Sequence, residues 1–169
     1  MALYLIANGP SPTTAAQVAI TTGTAIKTML QVCTAAGNLG RIVEWGVSFS
    51  GLALAAPIEC ELIETDVAAT VTAHVAAGIV KYDAAACTGV ADPSSLFPVG
   101  TALTGYTASV EGTITASRVI DVGKVSPTLN YTRQYPLGRE PVIQTAKFMR
   151  VRVTAAAAVT AYAYMIVWV

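Results

Sequence analysis

The chain has 169 residues, 54% hydrophobic and only 12% charged, with ten basic residues balancing ten acidic ones. This is room for one domain whose core needs neither disulfides nor metals. A charged share about half the usual ~25% is too small to cover a soluble monomer, and a neutral balance favours association, so an oligomer or a piece of a larger assembly is expected; the pervasive basic surface of a nucleic-acid binder is excluded.

Ala2–Ala7 reads as a strand, broken by Asn8-Gly9-Pro10-Ser11-Pro12. The Thr- and Ala-rich stretch that follows makes residues 1–24 a candidate N-terminal arm or edge strand, with a β-sandwich domain over 25–169. From Thr24 to Val32 the pattern sets Ile26, Leu30 and Val32 inward and Lys27 and Gln31 outward. Gly37–Gly40 is a turn, and Arg41–Ser50 is the clearest strand, with Val43, Trp45, Val47 and Phe49 on one face. Ile58–Thr65 alternates likewise, Ile58, Cys60 and Leu62 inward and Glu59 and Glu61 outward. Such alternation predicts antiparallel sheets with one wet face.

Asp66–Gly78 can be read two ways. Asp66 and Gly78 suit the caps of a short helix, whereas Val67, Thr70, Val71, Thr72 and Val75 favour strand; the expectation is one or two helical turns. Ile79–Tyr82 is a short strand, and Asp83–Gly100 is a long Pro/Ser/Gly loop of the kind that makes contacts. Thr107–Ala116 is a strand with Val110 and Ile114 inward, and Val119–Val122 extends it or starts another. Thr128–Tyr135 sets Leu129, Tyr131 and Tyr135 against polar residues; Pro136–Pro141 is a turn-rich connection. Phe148–Val153 and Val159–Val169 complete about eight to ten strands, which predicts an all-β antiparallel sandwich or jelly roll with at most a short helix near 66–78.

No catalytic constellation emerges. His74 is the single histidine and sits in an apolar run, no nucleophile elbow is present, and Gly37–Gly40 lacks the Lys-Ser/Thr end of a phosphate loop. Three cysteines, Cys33, Cys60 and Cys87, are odd in number and lack CxxC spacing, which predicts reduced thiols and neither a disulfide framework nor a zinc site. No cofactor, metal or catalytic residue is expected. The apolar stretch Val153–Val169 is shorter than the ~20 residues of a membrane span, so no membrane is expected either.

The charges are segregated. Arg41–Glu111 holds eight acidic residues against two basic ones, and the chain from Ala116 onward holds seven basic against two acidic. Either the fold mixes them on one surface, or opposite ends attract between subunits. Arg150 and Arg152, with Lys147 and Arg139 nearby, are the best candidates for a contact with an acidic partner; a solvated strand face is the plainer reading. Val159–Val169 has no charge and carries apolar residues on both faces, Tyr162, Tyr164, Ile166 and Trp168 on one of them. Tyr162, Tyr164 and Trp168 are therefore expected to face a partner or a second layer.

Three stretches, RIVEWGVSFSG, IECELIETDVAATVTAHVAAGIVKYD and QYPLGREPVIQTAKFMRVRVTAAAAVTAYAYMIVWV, resemble small structural proteins of tailed actinobacterial phages, and most closely capsid decoration (cement) proteins. The resemblance implies a non-enzymatic bacteriophage virion protein, made in the bacterial host cytoplasm and placed on the capsid surface. It also implies a homotrimer that binds the major capsid protein and stabilises contacts between its subunits, with no specific nucleic acid partner. The alternative is a tail, baseplate or receptor-binding β-sandwich module. That reading expects a glycan cleft lined by Tyr82, Tyr106, Tyr131 or Tyr135.

Overall fold

Phe148–Thr154 and Thr160–Trp168 sit in the middle of two antiparallel sheets packed face to face. The structure is a computed structural model that describes residues 2–10, 18, 20–51, 56–82 and 91–169. In chain order the strands are β1 (Leu3–Ala7), β2 (Ile20–Thr21), β3 (Lys27–Val32), β4 (Gly40–Ser50), β5 (Ile58–Thr65), β6 (Thr70–Ala73) and β7 (Ile79–Lys81). They continue with β8 (Gly105–Val110), β9 (Ser117–Val125), β10 (Asn130–Gln134), β11 (Val142–Ile143), β12 (Phe148–Thr154) and β13 (Thr160–Trp168). One sheet runs β10-β4-β13-β1-β7, with β11 on β4 and β2 on β13; the other runs β6-β8-β3-β12-β5-β9. The protein is thus the expected all-β antiparallel sandwich.

Period-2 alternation builds the core. Ala161, Ala163, Met165 and Val167 of β13 point inward against Met149, Val151 and Val153 of β12, with Trp45, Ile42, Leu30 and Leu62 filling the layer between the sheets. Fully burying a Val, Leu or Met side chain stabilises by about 1.5–3 kcal/mol, so these two strands anchor both sheets. β1 is an interior strand between β13 and β7; residues 11–17 and 19 of the candidate N-terminal arm lie outside the described residues. Asn8 prolongs the pairing of β1. The amide Nδ2 donates to Ala161 O and Oδ1 accepts from Ala163 N, each at 3.0 Å, so a side chain stands in for strand backbone.

Several local expectations change. Asp66–Gly78 forms strand β6 and a 3₁₀ turn at Ala76–Gly78, because the β-branched Thr-Val-Thr run pairs with β8. The one α-helical turn among the described residues, α1 (Pro93–Leu96), lies in the stretch read as loop and is capped by Asp92, which accepts from Ser94 N; residues 83–90 of that loop, with Cys87, lie outside the described residues. Gln31 is buried and Ile26 exposed, the reverse of the pattern, because the Gln31 amide donates to Ala102 O and accepts from Ala69 N beneath covering loops. Val43 faces outward: a β-bulge skips it in the pairing of β4 with β13. Val110 and Leu129 are exposed, and β8 ends at Val110, just before Gly112 turns at φ 75°.

The segregated charges meet inside the chain. Glu64–Arg118, Glu59–Lys124, Glu61–Arg152 and Glu111–Arg150 are ion pairs between the two stretches, and Asp121–Arg133 is one within the basic stretch. Antiparallel pairing of acidic β5 with basic β9 and β12 puts the partners opposite one another. The fold therefore mixes the charges and removes the reason to assign them to attraction between subunits.

Candidate functional site

The outer face of the seven-stranded sheet is built on β13. Its central place fixes the alternation, so Tyr162, Tyr164, Ile166 and Trp168 all point away from the core and are half-buried. Neighbouring strands set what lies beside each: Ser48 opposite Tyr162, Gly46 opposite Tyr164, Leu5 opposite Ile166 and Leu3 opposite Trp168. Gly46 has a specific use. A Cβ there would come within 2.7 Å of Tyr164 Cε1, so the missing side chain is what lets the phenol lie across β4. Its hydroxyl then donates to Glu44 Oε1 at 2.6 Å. Burial first, and next the bond to Glu44, pushes the Tyr164 phenol up to about 12. The rings of Tyr162 and Tyr164 are 5.9 Å apart and tilted by 31°.

At the Trp168 end the face becomes aliphatic. Pro136–Arg139 is a turn closed by Arg139 N donating to Pro136 O at 2.9 Å, with Gly138 at φ 84°. Positive φ at the third position is the type II geometry that favours glycine. Glu140 locks the turn by accepting Gly138 N–H at 2.8 Å and is itself buried. The second position, Leu137, is left 87% exposed. On one side of it lies a depression lined by Leu3, Val43, Tyr135 and Trp168; on the other, one lined by Leu39, Arg41, Trp168 and Val169. Contiguous exposed apolar residues of this kind mark contact surfaces.

The residues expected from the sequence are only partly brought together. Tyr162, Tyr164 and Trp168 share the face, and Arg139 stands exposed on the adjoining turn. Lys147 lies elsewhere, in a depression with Glu64, Asp66 and Arg118. Arg152 is half-buried and paired with Glu61 at 2.6 Å. Arg150 cannot meet a partner at all: it is 0% exposed, and its guanidinium donates to Glu111 O, Glu111 Oε2 and Val67 O. The segment around Val67 and the Glu111 carboxylate roof this strand, which alternation cannot reveal. Burial lowers the Arg150 pKa, and Glu111 opposes that shift.

Sequence reasoning missed Leu3, Leu39, Arg41 and Leu137. An apolar residue set between Pro136 and Gly138 in a turn was the available signal.

The four tyrosines expected to line a glycan cleft are dispersed. Tyr131 packs on Trp45 at 5.1 Å, Tyr106 packs on His74 at 4.8 Å, Tyr135 lines the Trp168 depression, and Tyr82 is exposed beyond β7. His74 is buried, with Nε2 2.8 Å from Ala7 O, and burial lowers its pKa. No group of three or more His, Cys, Asp or Glu suited to a metal ion occurs among the described residues. No protein-family model, curated protein or solved structure matches the chain.

Proposed function

We propose that this chain is a non-enzymatic structural subunit whose sandwich holds an apolar sheet face against other protein subunits. In the setting implied by its resemblance, it is a capsid decoration protein of a tailed phage, binding the shell as a homotrimer and stabilising contacts between major capsid subunits. The observation that carries this reading is the aliphatic end of the seven-stranded sheet, where Leu137 stands 87% exposed beside Leu39, Leu3 and Trp168. Covering such a face removes apolar surface from water at about 25 cal/mol per Å2, a gain available only in an assembly. Cryo-electron microscopy of virions, with quantitation of the chain per particle, tests it. Density over the shell at a copy number comparable with capsid subunits is expected; density on the tail alone overturns it.

A second reading, a tail or receptor-binding module for glycan, is favoured by one feature. Tyr164 lies across Gly46 beside Tyr162, whose ring is tilted from it by 31°, and flat aromatic faces suit the apolar face of a sugar ring. Glycan-array binding lost in Tyr162→Ala is the result this reading requires.

A further inference from the structure

We infer that the Tyr162 end of the seven-stranded sheet, opposite the aliphatic end, is a binding site for a neutral glycan. The inference rests on the second reading above and adds to it the site and the class of sugar.

A depression of about 400 Å³ opens there, walled by Val18, Ser48, Ser50, Thr160 and Tyr162. Small-molecule sites span about 300–1,000 Å³. Strand pairing gathers the walls: Tyr162 lies opposite Ser48, and Thr160 opposite Ser50. Phe49 and Ala161 pair between them with their side chains buried, so the floor is main chain.

Two features set this depression apart from an ordinary solvated strand face. The first is the lack of charge. Residues 18–26, 45–58 and 155–169, which supply every described residue of the lining, contain no Asp, Glu, Lys, Arg or His. A soluble surface carries about 25–35% charged residues. Glu44 stands outside the depression, opposite Ile166, with its carboxylate bonded to Tyr164. The second feature is a set of open hydroxyls. Among the described residues, those of Ser48, Ser50, Thr160 and Tyr162 make no hydrogen bond to the protein, so each can both donate and accept.

Together these features select the ligand. A phosphate or carboxylate would need a cation and an ammonium would need an anion, and the lining supplies neither. Sugar hydroxyls both donate and accept, as the side chains of the lining do. The Tyr162 ring offers an aromatic face to the C–H face of a pyranose. Tyr164, with its ring centroid 5.9 Å away, continues that surface along β13 for a second sugar unit.

The full chain is screened on an array of glucan, mannan and galactan oligosaccharides beside sialylated and sulfated glycans, and the strongest neutral oligosaccharide is then titrated by calorimetry. Binding to a neutral oligosaccharide is expected, with little dependence on salt. It should be about tenfold weaker in Ser48→Ala/Thr160→Val, which removes two hydroxyls with little change of shape. It should be lost in Tyr162→Ala and weakened less in Tyr162→Phe, which keeps the ring. Leu137→Asp, at the aliphatic end, leaves binding unchanged. Binding confined to sialylated or sulfated glycans overturns the inference and leaves a glycan-binding module standing. So does neutral-glycan binding that Ser48→Ala/Thr160→Val leaves undiminished, or that Leu137→Asp abolishes. No glycan binding by the wild-type chain overturns the inference and the second reading together.

Discussion

Glu111 answers Arg150 twice: its carbonyl accepts from Nη1 at 3.0 Å, and its Oε2 lies 3.4 Å from the same nitrogen. The carboxylate also takes Thr28 N and Thr28 Oγ1, at 2.5 and 2.6 Å, tying β3 to the end of β8. One acidic side chain therefore neutralises a guanidinium that has no exposed surface. Glu111→Ala leaves that charge unpaired and is expected to lower unfolding stability by about 3 kcal/mol in urea titration. Arg150→Met combined with Glu111→Gln removes both charges and is expected to recover most of that loss. A double variant as unstable as Glu111→Ala would show that the ion pair is not what matters.

Gly46→Ala is expected to displace the Tyr164 ring, because the new Cβ would meet Cε1 at 2.7 Å and the hydroxyl at 2.9 Å. The bond to Glu44 is then lost, and the phenol moves down from about 12 towards its ordinary 10.0. Absorbance titration of tyrosinate, with Tyr164→Phe as reference, reads this. The strain costs about 1–3 kcal/mol and should largely vanish in Gly46→Ala/Tyr164→Ala.

His74 gives the protein an acid limb. Its ring is 1% exposed, and its bond to Ala7 O only partly offsets the burial that disfavours the imidazolium. The folded state thus binds this proton less readily than the unfolded state, whose pKa is 6.5. Stability is level above that pH, falls as pH drops below it, and levels again below the folded value. The slope in that window is at most about 1.4 kcal/mol per pH unit. Urea midpoints measured across the window should show the decline in wild type and a flatter profile in His74→Gln. Equal slopes in the two would remove His74 as the cause.

Cys33 and Cys60 are both buried and free, and burial pushes both thiols up, Cys60 to about 12 with help from the Asp121 charge. The thiolate is the reactive species. Peptide-resolved mass spectrometry should therefore find neither position alkylated in the native protein near neutral pH, and both alkylated once urea unfolds it. Rapid native labelling of Cys60 would contradict the placement of β5 against β9.

Where one face of a strand is wet, its alternation was legible: Ile58, Cys60 and Leu62 lie inside as the pattern requires. The aromatic row of β13 was legible although both its faces are apolar, since strict alternation fixes Tyr162, Tyr164 and Trp168 on one side. Alternation misleads where a distant loop covers the second face. Gln31 and Arg150 look solvent-facing in sequence, but their partners lie 38 to 83 residues away. Val43 was lost to a bulge, which shifts parity without changing composition. Leu137 was lost because turns are scanned for Pro and Gly, and the residue they hold out to solvent is passed over.

The central placement of β12 and β13 has a consequence for synthesis. Leu3 pairs with Trp168, and Val32 with Met149, so the early strands have their partners at the far side of the sequence. While the ribosome is still making the chain, β1, β3, β4 and β5 each lack a neighbour and present bare strand edges. Neither sheet can close until residues 148–168 emerge, so folding waits on β12 and β13 and is slow for a fold so rich in non-local pairings. The nascent chain is accordingly the form most exposed to aggregation and most dependent on chaperones.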